Sequence, residues 1–345
     1  MSSMSDLESS PIVAEGLVRH FGSGDSKVVA VDGVDLDVPH AEIFGFLGPN
    51  GAGKTTTVRI LTTLLRPTAG RARVAGHDVV ADADAVRRSI GVALQDAAID
   101  PLMTGAELLR LQAVLYGLPR SQHRSRTDEL LARVGLSAAA GRRVGTYSGG
   151  MRRRLDLALS LIHQPSVLFL DEPTTGLDPM SRIAVWEEIR RLSDEGTTVL
   201  LTTQYLEEAD QLADRVAIID QGRIVRRGEP RQLKLEVGTP TLFVAVDAEL
   251  ADAARAELAA FGEPRLAADG ELGVGLTGGA AAVSAVIRRL DDAGIGVHHL
   301  QLREPSLDDV FAEATGHRLE GAHDTAGGGA AMPAAAQSAG EGRDR

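Results

Sequence analysis

Short apolar runs recur through the first two thirds of the chain, and most are followed by residues whose apolar positions repeat every three or four. The runs predict strands at 12–21, 28–38, 43–47, 71–80 with a break at Gly76, 90–94, 167–170, 197–203, 215–220 and 223–227. The helical spacing predicts helices at 55–65, 83–89, 151–163, 179–195 and 205–213, and a helical region between about 100 and 150. Strands that alternate with helices imply an α/β fold with a mostly parallel sheet covered on both faces.

A second pattern begins near Gly238-Thr239-Pro240, after a first predicted domain at 11–237. Here the spacing predicts strand 241–246, helix 250–261, strand 265–268, a hairpin turn at Asp269-Gly270, strand 271–276, helix 280–293 and strand 296–302. This β-α-β-β-α-β order is the ferredoxin-like plan, and it predicts a small α+β domain at 238–318.

A last helix is predicted at 307–314, with Ser306 as its N-cap. Its apolar face, formed by Leu307, Val310 and Phe311, has two possible roles: it covers the sheet of the small domain, or it contacts a partner. The two ends of the chain, 1–10 and 319–345, are polar or rich in Gly, Ala and charge, and we expect them to be disordered.

Composition excludes several classes of protein. The 345 residues carry a formal charge of −12, which argues against a nucleic-acid binder held by a basic surface. The sequence has no cysteine, so disulfides and Cys-based zinc sites are excluded, as suits a reducing cytoplasm. Apolar runs of about 18 residues, the length that spans a bilayer as a helix, do not occur.

One glycine-rich stretch fits the phosphate-binding motif G-x-x-x-x-G-K-[ST] at every fixed position. It consists of Gly48, Pro49, Asn50, Gly51, Ala52, Gly53, Lys54, Thr55 and Thr56. A predicted strand precedes the stretch and a predicted helix follows it, which is the context that the motif requires. Lysine is rare here, since only three of the 36 Lys and Arg residues are lysines, yet Lys54 stands where the motif needs one. We expect the loop amides to bind phosphate, Lys54 to reach the β- and γ-phosphates, and Thr55 to hold Mg²⁺.

Asp171 and Glu172 end the apolar run at 167–170. The carboxyl end of a strand is where α/β sheets place their ligands, so Asp171 is a candidate Mg²⁺ ligand and Glu172 a candidate base for the attacking water. The alternative is a pair of loop carboxylates that bind nothing.

Ser148, Gly149 and Gly150 open the helix predicted at 151–163, and they form either a second anion site or an ordinary helix cap.

Five motifs follow one another along the first domain: the phosphate loop, Gln95, Ser-Gly-Gly at 148–150, Leu-Asp-Glu at 170–172 and Gly-Leu-Asp at 176–178. In these motifs and their order, residues 10–235 resemble the ATP-binding subunit of an ABC transporter. The resemblance implies a P-loop NTPase fold with a helical subdomain, and ATP and Mg²⁺ as cofactors. It implies a homodimer in which each ATP lies between residues 48–56 of one copy and 148–150 of the other. It further implies that Gln95 touches Mg²⁺ and the attacking water, that Asp178 links the two sites, and that Phe21 stacks on adenine; Phe21 is otherwise a core residue at a strand end.

The sequence departs from the family pattern in two places. The signature reads Tyr147-Ser-Gly-Gly-Met151 instead of Leu-Ser-Gly-Gly-Gln, and the switch position holds Gln204 instead of histidine. Glutamine can donate a hydrogen bond to a γ-phosphate but cannot become cationic, so we expect either slow turnover or a Glu172 that acts with less help. Arg152, Arg153 and Arg154 follow the signature on a helix; they contact phosphate or the partner chain or, in the favoured interpretation, form a solvated helix face.

Residues 204–210 and 303–311 narrow the resemblance to the daunorubicin-resistance branch of drug-exporting ABC subunits. This branch implies an ATPase that energises efflux through a separate membrane permease, attached peripherally to the cytoplasmic face of the membrane and free of nucleic acid. Two alternatives stay open. One is a soluble ABC-type ATPase acting on ribosomes or DNA, and the other is a nucleotide sensor with little turnover, which Gln204 favours.

Overall fold

The computed structural model describes residues 10–22, 26–94, 99–265 and 271–317. Residues 1–9, Gln95, the turn Asp269-Gly270 and the predicted tail at 319–345 therefore lie outside the described residues. Within these ranges the strands form three sheets.

The central sheet has six strands in the order β10-β9-β3-β8-β7-β6. Its strands are β3 (Ile43–Leu47), β6 (Ile90–Ala93), β7 (Val167–Asp171), β8 (Thr198–Thr203), β9 (Arg215–Asp220) and β10 (Arg223–Gly228). The pairings are parallel except for β9 with β10, which confirms the predicted mostly parallel sheet. All residues of β3, β7 and β8 are buried, which explains why β3 and β7 are so rich in apolar residues in the sequence.

Side chains of these strands alternate between two cores. Ile43, Leu168 and Val199 face a core shared with the helical region, while Phe44 and Phe169 face a core shared with a second sheet. The second sheet is antiparallel, in the order β2-β1-β4-β5, and consists of β1 (Ile12–Phe21), β2 (Val28–Val38), β4 (Ala69–Val74) and β5 (His77–Asp78).

The helices of the first part are α1 (Lys54–Leu61), α2 (Ala83–Ser89), α3 (Gly105–Leu115), α4 (Arg120–Arg133), α5 (Gly149–Ser160), α6 (Pro179–Asp194), α7 (Leu206–Leu212) and α8 (Pro230–Val237). One predicted boundary is wrong for a backbone reason. Helix α1 ends at Leu61, four residues early, because Thr62 caps it and Thr63 takes a left-handed φ of 65°. The break predicted at Gly76 within 71–80 is confirmed, because the chain turns at Ala75 and Gly76, with φ values of 50° and 79°, between β4 and β5.

Two further helices differ from the sequence pattern. Helix α5 ends at Ser160 instead of 163, because Leu161 caps it and Gln164 takes a left-handed φ of 56°. Helix α8 has no counterpart among the predicted helices; it is only eight residues long and begins with Pro230, whose fixed φ suits the first helical position.

The third sheet has the order β12-β13-β11-β14, and every pairing in it is antiparallel. It contains β11 (Thr241–Val246), β12 (Gly262–Arg265), β13 (Leu272–Leu276) and β14 (Val297–Arg303), with α9 (Ala251–Leu258) and α10 (Val283–Asp292) packed on one face. This order and chain direction are those of the predicted ferredoxin-like plan. The second strand begins at Gly262, three residues before the predicted start at 265.

The last helix, α11 (Leu307–Thr315), packs in neither of the two ways considered from the sequence. Leu307, Val310 and Phe311 are buried against residues of the first domain: Leu47 of β3, Leu206 and Ala209 of α7, Val216 and Ile218 of β9, and Leu233 of α8. The chain thus leaves the first domain, forms the small sheet, and returns to the first domain at α11.

Candidate functional site

The phosphate-loop residues connect β3 to α1 at the carboxyl end of the central sheet. A Cβ at Gly48 would overlap the Ile219 carbonyl oxygen, and a Cβ at Gly53 would overlap the Ala30 carbonyl oxygen. Gly53 also takes a left-handed φ of 107° directly before α1. These two positions need glycine because the loop passes so close to neighbouring backbone. A Cβ at Gly51 would have no neighbour within 4 Å, so the centre of the loop is open to a ligand.

Lys54 folds back over this loop. Its side chain is buried, with 5% of the residue exposed, and Nζ donates to the carbonyl oxygens of Gly48 at 2.6 Å and Pro49 at 3.0 Å. Burial lowers the pKa of Lys54, while the nearby charges of Glu172 and Asp171 act in the opposite direction. The ammonium group therefore lies at the loop with carboxylates close enough to influence it.

Asp171, the last residue of β7, contacts both the neighbouring strand β8 and the start of helix α1. Thr55 Oγ1 donates to Asp171 Oδ1 at 3.3 Å, and the hydroxyl of Thr202, on the neighbouring strand β8, donates to the same oxygen. A threonine hydroxyl beside a carboxylate is a set of hard oxygen donors, which suits Mg²⁺. The structure thus places two of the three predicted metal ligands side by side; the third, Gln95, lies outside the described residues.

Glu172 has an unusual backbone. Its φ is 51°, in the left-handed region that residues other than glycine seldom adopt. Its N–H donates to the Thr202 carbonyl at 3.0 Å, and Thr175 Oγ1 donates to its Oε2 at 3.2 Å. Gln204, half-buried, follows the end of the adjacent strand β8. Both residues thus belong to strand ends on the same edge of the sheet as Lys54.

Ser148 and Asp178 each cap a helix. Ser148 Oγ accepts from Met151 N at 3.2 Å at the start of α5, and Asp178 Oδ1 accepts from Ser181 N at 3.0 Å at the start of α6. The hydrogen bonds from Ser181 lower the pKa of Asp178. A Cβ on Gly150 would lie 2.8 Å from Ser181 Oγ, so the two helix starts are adjacent. The structure therefore groups Ser148–Gly150 with Asp178 on an exposed surface.

Phe21 lies at the end of β1 and is 40% exposed, so it is not a core residue. The Arg19 guanidinium lies 4.7 Å from the centre of its ring. An exposed aromatic ring of this kind can stack on a planar ligand.

Tyr147, the first departure from the family signature, is a buried residue of the helical core. Its hydroxyl donates to the Ala139 carbonyl at 2.7 Å, and Gly105, at the start of α3, leaves room for that hydroxyl. A leucine could not make this hydrogen bond. Tyr147 at this position of the signature therefore contributes to the packing of the helical core, which a comparison of motifs does not reveal.

The three arginines after the signature have different environments. Arg152 is exposed, as the solvated-face interpretation expected. Arg154 Nη1 donates to the Val134 carbonyl at 2.9 Å, and Arg153 makes four contacts inside the protein. For these two the interpretation was wrong, because their spacing on α5 turns them towards the core rather than to solvent.

Comparisons with known proteins agree with this geometry. The chain is 49% identical over 306 residues to the daunorubicin resistance ATP-binding protein DrrA3 of Streptomyces coeruleorubidus, a match that covers 88% of this chain and 96% of the relative. This chain belongs to the ABC transporter ATP-binding family. The family model described as ABC transporter matches residues 31–175, and the model for the C-terminal domain of DrrA1-3-like ATP-binding proteins matches residues 228–315. ATP is the ligand of this family and its hydrolysis the family's activity.

A further relative and a solved structure are also similar to this chain. The doxorubicin resistance ATP-binding protein DrrA of Mycobacterium tuberculosis is 46% identical to this ABC protein over 312 residues, covering 88% of this chain and 93% of the relative. The dimeric structure of MJ0796, a bacterial ABC transporter cassette, matches with a TM-score of 0.59 and 25% identity over 63% of this chain and 98% of that chain. Among the helices that the structure describes, none is both long and apolar enough to cross a bilayer.

Proposed function

We propose that this protein is the ATP-hydrolysing subunit of an ABC exporter, and that it energises efflux of a drug-like compound through a separate membrane permease. The observation that carries the proposal is the meeting of Thr55, Asp171 and Thr202 beside the buried Lys54, at the carboxyl edge of the sheet. Relatives named for daunorubicin and doxorubicin resistance support the drug-like cargo.

In this proposal the loop amides at 48–56 and Lys54 bind the phosphates of ATP. Lys54 Nζ then exchanges its two carbonyl contacts for β- and γ-phosphate oxygens. Thr55, Asp171 and Gln95 would hold Mg²⁺, which withdraws charge from the phosphates when bound. The Thr55–Asp171 distance of 3.3 Å supports the pairing of these two ligands.

Glu172 accepts the proton of the attacking water, and Gln204 orients the γ-phosphate through its amide N–H. Phe21 stacks on the adenine ring at the exposed end of β1. The proximity of the two strand ends supports the pairing of Glu172 with Gln204, since Glu172 N–H is hydrogen-bonded to Thr202, two residues before Gln204.

A homodimer would complete the site. Ser148, Gly149, Gly150 and Asp178 form an exposed group, and helix α5 presents its free N-terminal amides there. A second copy placed head to tail would bring this group to the ATP of the first. The dimeric cassette with 25% identity supports this arrangement.

The permease would dock on an apolar surface of the helical region. Large apolar side chains are exposed there on α3 and just before it: Leu102, Leu111, Val114 and Leu115. Gln112 and Tyr116, which alternate with these residues along the chain, line a cleft of about 380 Å³ between α3 and the central sheet together with Leu64, Leu94 and Ile99. Leu111, Val114 and Leu115 share one face of α3 by their spacing, and an exposed apolar face of a helix favours a protein contact. Such docking would hold the subunit peripherally at the cytoplasmic face of the membrane.

Phosphate release and co-purification test the proposal together. The wild-type protein, expressed with the membrane protein encoded beside it, should co-purify with that protein and release phosphate from ATP with Mg²⁺. Lys54→Ala should abolish the ATP-induced rise in Tm, and Glu172→Gln should keep that rise while losing phosphate release. An unaltered Tm response in Lys54→Ala would exclude the assigned site. Purification without a membrane protein, but with ribosomes or DNA, would favour the soluble ATPase instead.

A further inference from the structure

Arg153 lies near the start of α5, and its guanidinium group binds the backbone at the catalytic edge of the sheet. Nη2 donates to the Asp171 carbonyl at 2.6 Å, Nε to the Pro173 carbonyl at 2.9 Å, and Nη1 to the Leu94 carbonyl at 2.9 Å. Asp156 Oδ2 lies 3.3 Å from Nη1 and supplies a counter-charge. One side chain thus connects the signature helix with the ends of β6 and β7.

Two of these carbonyl groups flank Glu172, the residue with a left-handed φ of 51°. A residue with a Cβ is strained in that conformation, so its surroundings must hold it there. The Glu172 N–H is held by Thr202, and the carbonyls before and after Glu172 are both held by Arg153. The backbone around the carboxylate is therefore fixed from both sides.

We propose that Arg153 is a positioning residue for ATP hydrolysis, which keeps Glu172 in its left-handed conformation and so aims the carboxylate at the attacking water. The proposal rests on the role assigned to Glu172 above. Within the described part of the chain, the guanidinium of Arg153 binds backbone carbonyls and Asp156, so it acts through Glu172 and not on the nucleotide.

The planar fork of arginine suits this task. Three N–H groups that point in different directions reach three separate carbonyl oxygens, whereas the single ammonium nitrogen of lysine cannot reach all of them at once. A lysine at 153 would keep the positive charge beside Asp156 but lose the clamp. Arginine and lysine at this position therefore separate the effect of geometry from the effect of charge.

The test compares Arg153→Met and Arg153→Lys with wild type and with Arg154→Met, at a temperature well below the Tm of every variant. Arg154 is a matched control, because it is also half-buried on α5 but binds the Val134 carbonyl, away from Glu172. Four quantities are measured: kcat for ATP hydrolysis, the Kd for ATP, Tm, and backbone hydrogen exchange over residues 168–176 without nucleotide.

For Arg153→Met we expect kcat to fall roughly ten- to a hundredfold, as misplaced catalytic groups do, with the Kd for ATP within about twofold of wild type. Hydrogen exchange over 168–176 should become faster. Arg153→Lys should retain only part of kcat, and Arg154→Met should lower Tm while kcat stays near wild type.

Wild-type kcat in Arg153→Lys would overturn the proposal, because charge alone would then suffice. Unchanged hydrogen exchange in Arg153→Met would also overturn it. Glu172→Gln, measured in parallel, separates the clamp from the role of Glu172. If Glu172→Gln is inactive and Arg153→Met is fully active, only the clamp fails; if Glu172→Gln is fully active, the role assigned to Glu172 fails, and the role of Arg153 with it.

Discussion

The indole Nε1 of Trp186 donates a hydrogen bond to Glu208 Oε1 over 3.1 Å. The same oxygen accepts from Thr174 Oγ1 at 2.8 Å. Trp186 lies on α6, Thr174 follows Glu172, and Glu208 lies on α7, just after Gln204. This buried carboxyl group therefore joins the segment after β7 and the segment after β8 to helix α6.

Trp186 is the only tryptophan in the sequence, so all tryptophan fluorescence comes from this position. Glu208→Ala would leave the indole and Thr174 donors without an acceptor, and we expect a loss of about 2–4 kcal/mol in the free energy of unfolding. Glu208→Gln keeps an acceptor oxygen and should lose much less. Urea unfolding followed by Trp186 emission measures both; equal losses in the two variants would show that the hydrogen bonds are not what Glu208 contributes.

Asp156 makes the stability of the protein depend on pH. Burial raises the pKa of Asp156 from 3.8 to about 6, against the opposing effect of Arg153. Because the folded state favours the protonated form, this contribution is fully present below the ordinary pKa and is lost as pH rises through about 6. The loss is about 3 kcal/mol at most. Asp156 lines the cleft between α3 and the central sheet, and Arg87 is the other charged residue in that lining.

The measurement is the free energy of unfolding of wild type and Asp156→Asn between about pH 4 and pH 7. Wild-type stability should fall more steeply over this range than that of Asp156→Asn, which cannot titrate at this position. Parallel curves for the two proteins would contradict the assignment.

Tyr147→Phe removes the hydroxyl that serves the buried Ala139 carbonyl. We expect a loss of about 1–3 kcal/mol in the free energy of unfolding, because a buried acceptor is left unpaired. Tyr116→Phe is the control, since Tyr116 is 36% exposed, and it should change stability by less than about 0.5 kcal/mol. Chemical denaturation measures the free energy of unfolding of both variants. A neutral Tyr147→Phe would remove the packing explanation for the altered signature.

Gly149 and Gly150 are neighbours at the start of α5 that differ in the space available for a side chain. A Cβ at Gly149 meets nothing within 4 Å, whereas a Cβ at Gly150 lies 2.8 Å from Ser181 Oγ. Gly149→Ala should therefore leave Tm of the nucleotide-free protein near wild type, while Gly150→Ala should lower it. If the exposed face of these residues meets a second copy, both variants should lose ATPase activity. A fully active Gly149→Ala would contradict the dimeric site.

Phe311 is wholly buried between α11 and the first domain. Phe311→Ala should lower the free energy of unfolding of that domain by about 3–5 kcal/mol, as large-to-small changes in a core do. Ile287→Ala on α10 is the control, because Ile287 is 44% exposed. Pulse proteolysis of the full chain, with fragments assigned by mass, reports which domain opens. Loss confined to the small sheet would contradict the observed packing.

The chemistry-bearing stretches were predictable because each is local. The glycine loop, Asp171 and Glu172 stand at the ends of fully buried strands, and such strands are recognised in a sequence as short apolar runs. The ferredoxin-like order was predictable for a similar reason, since its strands and helices are separated by clear turns. Helix ends were less predictable, because they depend on single left-handed residues such as Thr63 and Gln164.

Short patterns along the chain were enough to predict the class of fold and a phosphate-binding loop, because strand periodicity and phosphate chemistry are both local properties, and the family resemblance implied ATP. The contacts of Arg153, Tyr147, Glu208 and α11 became visible only in the folded molecule. Arg153, Glu208 and α11 contact residues distant in the chain, and the Tyr147 hydroxyl contacts a carbonyl eight residues away, outside its own helix. A side chain's spacing on its own helix gives the face it occupies, but packing between elements determines what that face meets.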